Sequence, residues 1–131
     1  MTVEPRSERV YRILTEVEYA SLEAEGRFEG AELDRRHGFV HLSEADQVAG
    51  TLAAHFAGRE GLVLVEIDAA ALGDALVREP SRGGALFPHL YAALPASAVL
   101  RHWRLTLDSA GRHRLPPDLA PEGSGTGGAP S

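Results

Sequence analysis

GFVHLSEADQ, residues 38–47, decides how this chain is read. A short apolar run ends at His41-Leu42-Ser43, and the cap-like pattern Ser43-x-x-Asp46 follows at once. The stretch predicts a strand that runs directly into a helix, with Ser43 as the N-cap. In an extended strand residues two apart share a face, so Phe39, His41 and Ser43 project together. The helix should reach about Ala57, because Val48, Leu52 and Phe56 recur at i, i+4 and i+8.

C-terminal to it, GLVLVEI (61–67) is the most continuously apolar run and reads as a central strand buried on both faces. Residues 68–76 read as a short helical turn, 76–79 as a short strand, and PSRGGALFP as a Pro/Gly-rich loop. FPHLY repeats the earlier arrangement: Phe87, His89 and Tyr91 share a face if the segment is extended. AVLRHWRLTL (98–107) alternates, placing Val99, Trp103, Leu105 and Leu107 on one face. N-terminal to the opening stretch, RVYRIL (9–14) reads as a first strand. Thr15-x-x-Glu18 has the form of a capping box, and a helix should follow to about Glu25, stopped by Gly26, with Val17, Ala20 and Ala24 on one face and Leu22 nearby. Residues 27–37 read as loop. The expectation is an α+β domain over 9–115, a flexible N-terminus over 1–8 and a disordered Gly/Pro/Ser-rich tail over 116–131.

The chain has 131 residues, no cysteine and a net charge of −6. These exclude a disulfide framework and a Cys nucleophile, and they argue against long nucleic acids as partners. All thirteen basic residues are arginine, which excludes Lys-based Schiff-base chemistry and a P-loop lysine. No run is long enough to span a membrane and no signal peptide is visible, so a cytoplasmic location is expected. A small-molecule ligand is the expected partner; a protein partner is not identified.

Several residues could carry chemistry. His41 and His89, each two residues after an aromatic, could supply two imidazoles to one pocket. Arg12 interrupts an apolar strand, where an arginine needs solvent or an anion. Glu79 could be its carboxylate partner, and Arg82 with Gly83-Gly84 could clamp a phosphate. A helix N-terminus at 44–47 offers backbone N–H groups to an anion. His37 and His41 would lie roughly 13 Å apart along a strand, so they are not expected to share a metal, and no metal site is expected. A Ser43/His89/Asp68 hydrolase trio can be composed, but no Gly-x-Ser-x-Gly elbow supports it.

Tyr11-Arg12-Ile13, GFVHLS (38–43), Gln47, LVLVEID (62–68), Arg78-Glu79-Pro80 and FPHLY (87–91) occur in this order. Together they resemble the DUF952 family of small bacterial proteins, across roughly residues 9–107. The resemblance implies an ADP-ribosyltransferase-like fold, a bent and split β-structure with a few short helices around a cleft. By position, Arg12 matches the basic residue of the first strand that holds a dinucleotide in that fold. His41-Leu42-Ser43 falls where its second motif lies, and Glu79 is the candidate for its catalytic glutamate. The resemblance therefore implies a nucleotide or small-anion cleft, with NAD or ADP-ribose as the ligand it suggests. Arg12, Ser43, Gln47, Arg82, His89 and Tyr91 would bind that ligand, and Glu79 and His41 would be the catalytic candidates. Three functions stay open: a binding module without turnover, transfer from NAD, or a small histidine-dependent enzyme of other chemistry.

Overall fold

The computed structural model describes residues 9–119. The expectations for residues 1–8 and 120–131 lie outside the described residues, as does the side chain of Arg82. GLVLVEI lies in β4 (Leu62–Asp68), the middle strand of an antiparallel sheet ordered β1-β4-β8, with β1 at Arg9–Thr15 and β8 at Val99–Leu105. The strand is apolar throughout because a core lies on each side of it. Val10, Leu14, Val63, Val65 and Ile67 face one core, completed by Leu22, Val40, Leu90 and Leu94. Tyr11, Ile13, Leu62 and Leu64 face the other, completed by Val48, Leu52 and Leu105.

Glu66 is the charged residue within this run. It is 2% exposed, and Tyr11 and Arg101 donate hydrogen bonds to it, the arginine through two nitrogens. Burial pushes its carboxyl up, but the bonds from Arg101 and Tyr11 hold it below the usual range. Burial and the Glu66 carboxylate in turn push the Tyr11 phenol up to about 12. This cluster ties together all three strands of the sheet.

Thr15 begins helix α1 (Glu16–Glu25) with the expected capping box: Glu18 N–H donates to Thr15 Oγ1, and Thr15 N–H donates to Glu18 Oε1. Gly26 ends the helix at φ 80°. Thr15→Ala should therefore cost about 1 kcal/mol in urea unfolding; a loss under about 0.3 kcal/mol would deny the cap that role. The expected inner face of α1 is corrected. Val17 is 80% exposed, and Leu22 is the residue that buries.

Residues 27–37 are not the expected loop. Arg27–Phe28 is β2, which pairs with β7 (Leu94–Pro95), and Glu32–His37 is helix α2. Six residues are too few to show a hydrophobic period, so α2 is invisible to pattern reading. It is held at its ends instead: Ala31 N–H donates to Asp34 Oδ2, and Gly38 closes the helix at φ 88°.

The opening stretch joins two sheets. Val40–His41 is β3, which pairs with β6 (Leu86–Leu90) in a second antiparallel sheet ordered β3-β6-β5, where β5 is Leu76–Pro80. Two residues later Ser43 exchanges both backbone hydrogen bonds with Tyr11 of β1. One extended segment thus stitches the sheets together, and they part on either side of it. The chain then makes a turn of 3-10 helix (Ala45–Gln47) before helix α3 (Val48–His55). Ser43 is not its N-cap. The Ser43 hydroxyl lies 3.1 Å from Thr51 Oγ1, and Glu44 N–H donates to Gln47 Oε1.

In β8 the expected single apolar face is split. Opposite Glu66/Ile67 a bulge takes up Leu100, so Val99 packs on the first core while Trp103 and Leu105 pack on the second. At the end, Pro117–Leu119 forms a 3-10 turn and Leu119 is buried, so the folded chain passes the boundary expected at 115. No helix among the described residues is long and apolar enough to cross a membrane.

Candidate functional site

Where the two sheets separate, a cleft of ≈ 530 Å³ opens, lined by Arg12, Ile13, His37, His41, Ser43, Phe87 and His89 among others. His41 and His89 are direct register partners on β3 and β6. Their rings come to 5.8 Å between centroids, edge to face. Phe39 stacks on His89 at 4.0 Å and also touches His41 and Tyr91. Phe39 thus packs on both imidazoles without itself lining the cleft, whereas Phe87 lines it.

Each imidazole has its own carboxylate. His89 Nδ1 lies 2.6 Å from Glu79 Oε1, and Tyr91 donates to the same oxygen. His41 Nδ1 lies 2.7 Å from Asp34 Oδ1. Asp34 is 2% exposed and is the hub of the site. Its oxygens also accept from two Arg12 nitrogens, from His41 N–H and from Ala31 N–H. Burial alone would raise its carboxyl, but the hydrogen bonds from His41 and Arg12, with the Arg12 charge, hold it well below the ordinary range. Hydrogen bonds from His89 and then Tyr91 also lower Glu79, and Glu79 raises the Tyr91 phenol.

Both carboxylates are therefore ionised near neutral pH and can only accept. Each Nδ1 must then carry a proton, and in the neutral ring Nε2 is the lone-pair nitrogen. Of the two, His89 Nε2 is buried and has no hydrogen-bond partner among the described residues. His41 Nε2 lies 2.9 Å from His37 Nδ1. The expected wide separation of His37 and His41 is thus wrong, because Gly38 turns the chain between helix and strand and no extended run connects them. Among the described residues no group of three or more His, Cys, Asp or Glu is arranged to hold a metal.

The other sequence candidates fall into distinct positions. Arg12 reaches the cleft, but its guanidinium is spent on Asp34, His41 O and Ile13 O, so it is a strut of the wall. Glu79 bonds to His89 and Tyr91 donates to Glu79, and neither is among the residues lining the cleft. Gln47 is not in the lining either; it bridges Glu44 N–H to Leu86 O. Ser43 lines the cleft beside Thr51. Sequence reasoning missed Asp34, His37, His55 and Arg59, all of which line it. A signal existed for Asp34: an acid three residues into a segment closed by His37-Gly38 is a short helix's own cap.

The family model for DUF952, proteins of unknown function, matches residues 13–102. The chain belongs to the DUF952 family. The crystal structure of protein CC0527 from Caulobacter crescentus is 44% identical, and the match covers 86% of this chain and 99% of that one with a TM-score of 0.80. The solution NMR structure of the same Caulobacter protein gives 44% identity, 86% and 97% coverage and a TM-score of 0.77. The mixed α/β architecture of small antiparallel sheets and short helices is therefore shared with a solved relative. No curated protein matches the sequence.

Proposed function

We propose that the cleft binds a small polar molecule and that His89 and His41 hold and move protons on it, which makes the protein a small histidine-dependent acid–base enzyme. The observation that carries this is His89. Its Nδ1 is fixed by Glu79 while its Nε2 sits buried without a partner among the described residues. A buried, unsatisfied polar atom costs about 1–3 kcal/mol, and a ligand group in the adjoining cleft can recover that by donating to it. The carboxylate fixes the tautomer and stabilises the imidazolium once the proton arrives. His41 stands opposite with its own carboxylate at Nδ1 and with His37 at Nε2, so one side of the cleft can accept a proton while the other donates.

A nucleotide or ADP-ribose ligand is the second reading. The cleft volume suits it, and the fold resemblance motivates it. Arg12 is a poor phosphate grip because Asp34 already neutralises it. Arg59 lines the same cleft over the Phe56 ring and has no carboxylate partner among the described residues, so it is the cation available to a phosphate. Glu79, turned to His89, is not in the cleft lining where transfer from NAD would need a carboxylate.

The test is an NMR titration following the imidazole nitrogens, with AMP, ADP-ribose, NAD and a panel of small hydroxy- and keto-acids. Binding that shifts His89 Nε2 and weakens at least tenfold in His89→Ala supports the acid–base reading. Any turnover found for that ligand should fall 10²–10⁴-fold in the same variant. Binding confined to the nucleotides, lost in Arg59→Ala and kept in His89→Ala, would replace it by the second reading. No response to any ligand at millimolar concentration would sink both.

A further inference from the structure

His37 lies at the C-terminal end of α2, exposed, and faces both the cleft and His41. Nothing in its local sequence marks it as functional, and Gly38 alone brings it there. The hydrogen-bond directions along Asp34, His41 and His37 follow from the acceptor end. With the rings neutral, ionised Asp34 accepts from His41 Nδ1–H, so His41 Nε2 has only a lone pair to offer. The nitrogen 2.9 Å away, His37 Nδ1, must therefore be the donor, and the free lone pair of the chain moves out to His37 Nε2.

We propose that His37 and His41 act as one two-ring base, in which a proton taken up at His37 is passed to His41 and its charge comes to rest against Asp34. This rests on the acid–base reading of the cleft and deepens it. The step balances. A ligand O–H, N–H or C–H bond breaks with its electron pair left on the ligand, and its proton bonds to His37 Nε2. The His37 Nδ1 proton moves to His41 Nε2. His37 ends neutral, and His41 ends as a cation between the Asp34 carboxylate and His37 Nδ1. His37 touches the ligand; His41 is the positioning residue behind it, as a carboxylate-bound histidine stands behind a nucleophile.

The charges around the pair are compatible with a shared proton. Arg12 shares the Asp34 carboxylate, so a protonated pair, Arg12 and Asp34 sum to one positive charge. Glu18, His55 and Arg59 line the same cleft, Phe39 packs on both rings, and His89 faces His41 from β6. Glu18 accepts from Thr15 N–H, and Arg36, on α2 beside His37, is paired with Glu32. The ligand this base suits is a weak acid of the cleft's size, whose anion gains Arg59 as a neighbour.

The experiment needs no ligand, so its failure would leave the His89 reading standing. Imidazole ¹⁵N spectra of the full chain are recorded through acidification for the wild type, His37→Ala and His37→Gln. At neutral pH the expected spectrum has His41 protonated at Nδ1 only and His37 protonated at Nδ1 only. On acidification the first proton should move the signals of both rings in one joint step. His37→Gln should keep the His41 tautomer, because the amide can still donate, yet abolish the joint step; His37→Ala should abolish it too. A His41 protonated at Nε2, two independent steps in the wild type, or a His41 response unchanged by His37→Ala would each overturn the proposal. So would stoichiometric capture of Zn²⁺ by the pair at micromolar concentration, which would make the two rings metal ligands.

Discussion

Asp34→Ala should lower the stability of the protein by about 3–5 kcal/mol, the cost of removing one partner from a buried ion pair. The carboxylate is 2% exposed and accepts from Arg12 twice, from His41 through both its backbone and its ring, and from Ala31. Truncation leaves the guanidinium and two backbone N–H groups in a wall built around an anion that is gone. Asp34→Asn is the sharper variant, because it keeps the volume and removes the charge. The loss should also depend on pH. The folded-state pKa of Asp34 lies below its unfolded value of about 3.9. The stabilisation is therefore complete above that value and is lost as pH falls through it towards the folded pKa. The difference in unfolding free energy between wild type and Asp34→Asn should shrink as pH falls below about 4. A loss under about 1 kcal/mol at pH 7, or a difference that does not shrink below about pH 4, would remove Asp34 from its place as the hub.

Gly30→Ala should cost about 2–6 kcal/mol, for two reasons that separate cleanly. The backbone there has φ 115°, a conformation that costs a non-glycine residue about 1–3 kcal/mol. In addition an added Cβ would meet Asp34 Cβ at 2.8 Å. Asp34 Cβ is the root of a side chain fixed at both oxygens, so it cannot swing away, and overpacking of this kind costs about 1–3 kcal/mol. Gly26→Ala is the control. It also carries a positive φ, 80°, but nothing lies within 4 Å of its added Cβ. Urea unfolding of both variants isolates the Asp34 contact, and the His41 ring signals should shift in Gly30→Ala alone. Equal losses in the two variants would mean that the loop yields and that Asp34 is not rigidly held.

Much of the frame follows from the sequence by itself, because local rules were enough. The doubly buried β4 is written in its unbroken apolar run, α1 in a capping box and a terminal glycine, and α3 in the i, i+4, i+8 spacing of Val48, Leu52 and Phe56. The strand-spaced pairs Phe39/His41 and Phe87/His89 are enough, as sequence, to place two imidazoles near an aromatic floor. The partners of those imidazoles were decided only by the tertiary fold. Asp34 sits in a helix too short to show a period, and its ligands Arg12 and His41 lie 22 residues before it and 7 after it in the chain. His37 meets His41 because one glycine adopts a left-handed turn, where extended geometry would have held them apart. Arg12 and Glu79 read as partners of one another, but the fold gives Arg12 to Asp34 and Glu79 to His89, and Ser43 looked like a cap only until Tyr11 and Thr51 claimed it. A side chain's type and period are local properties, and the sequence states them. Whether a charge is available to a ligand depends on which distant group reaches it first, and only the folded chain decides that.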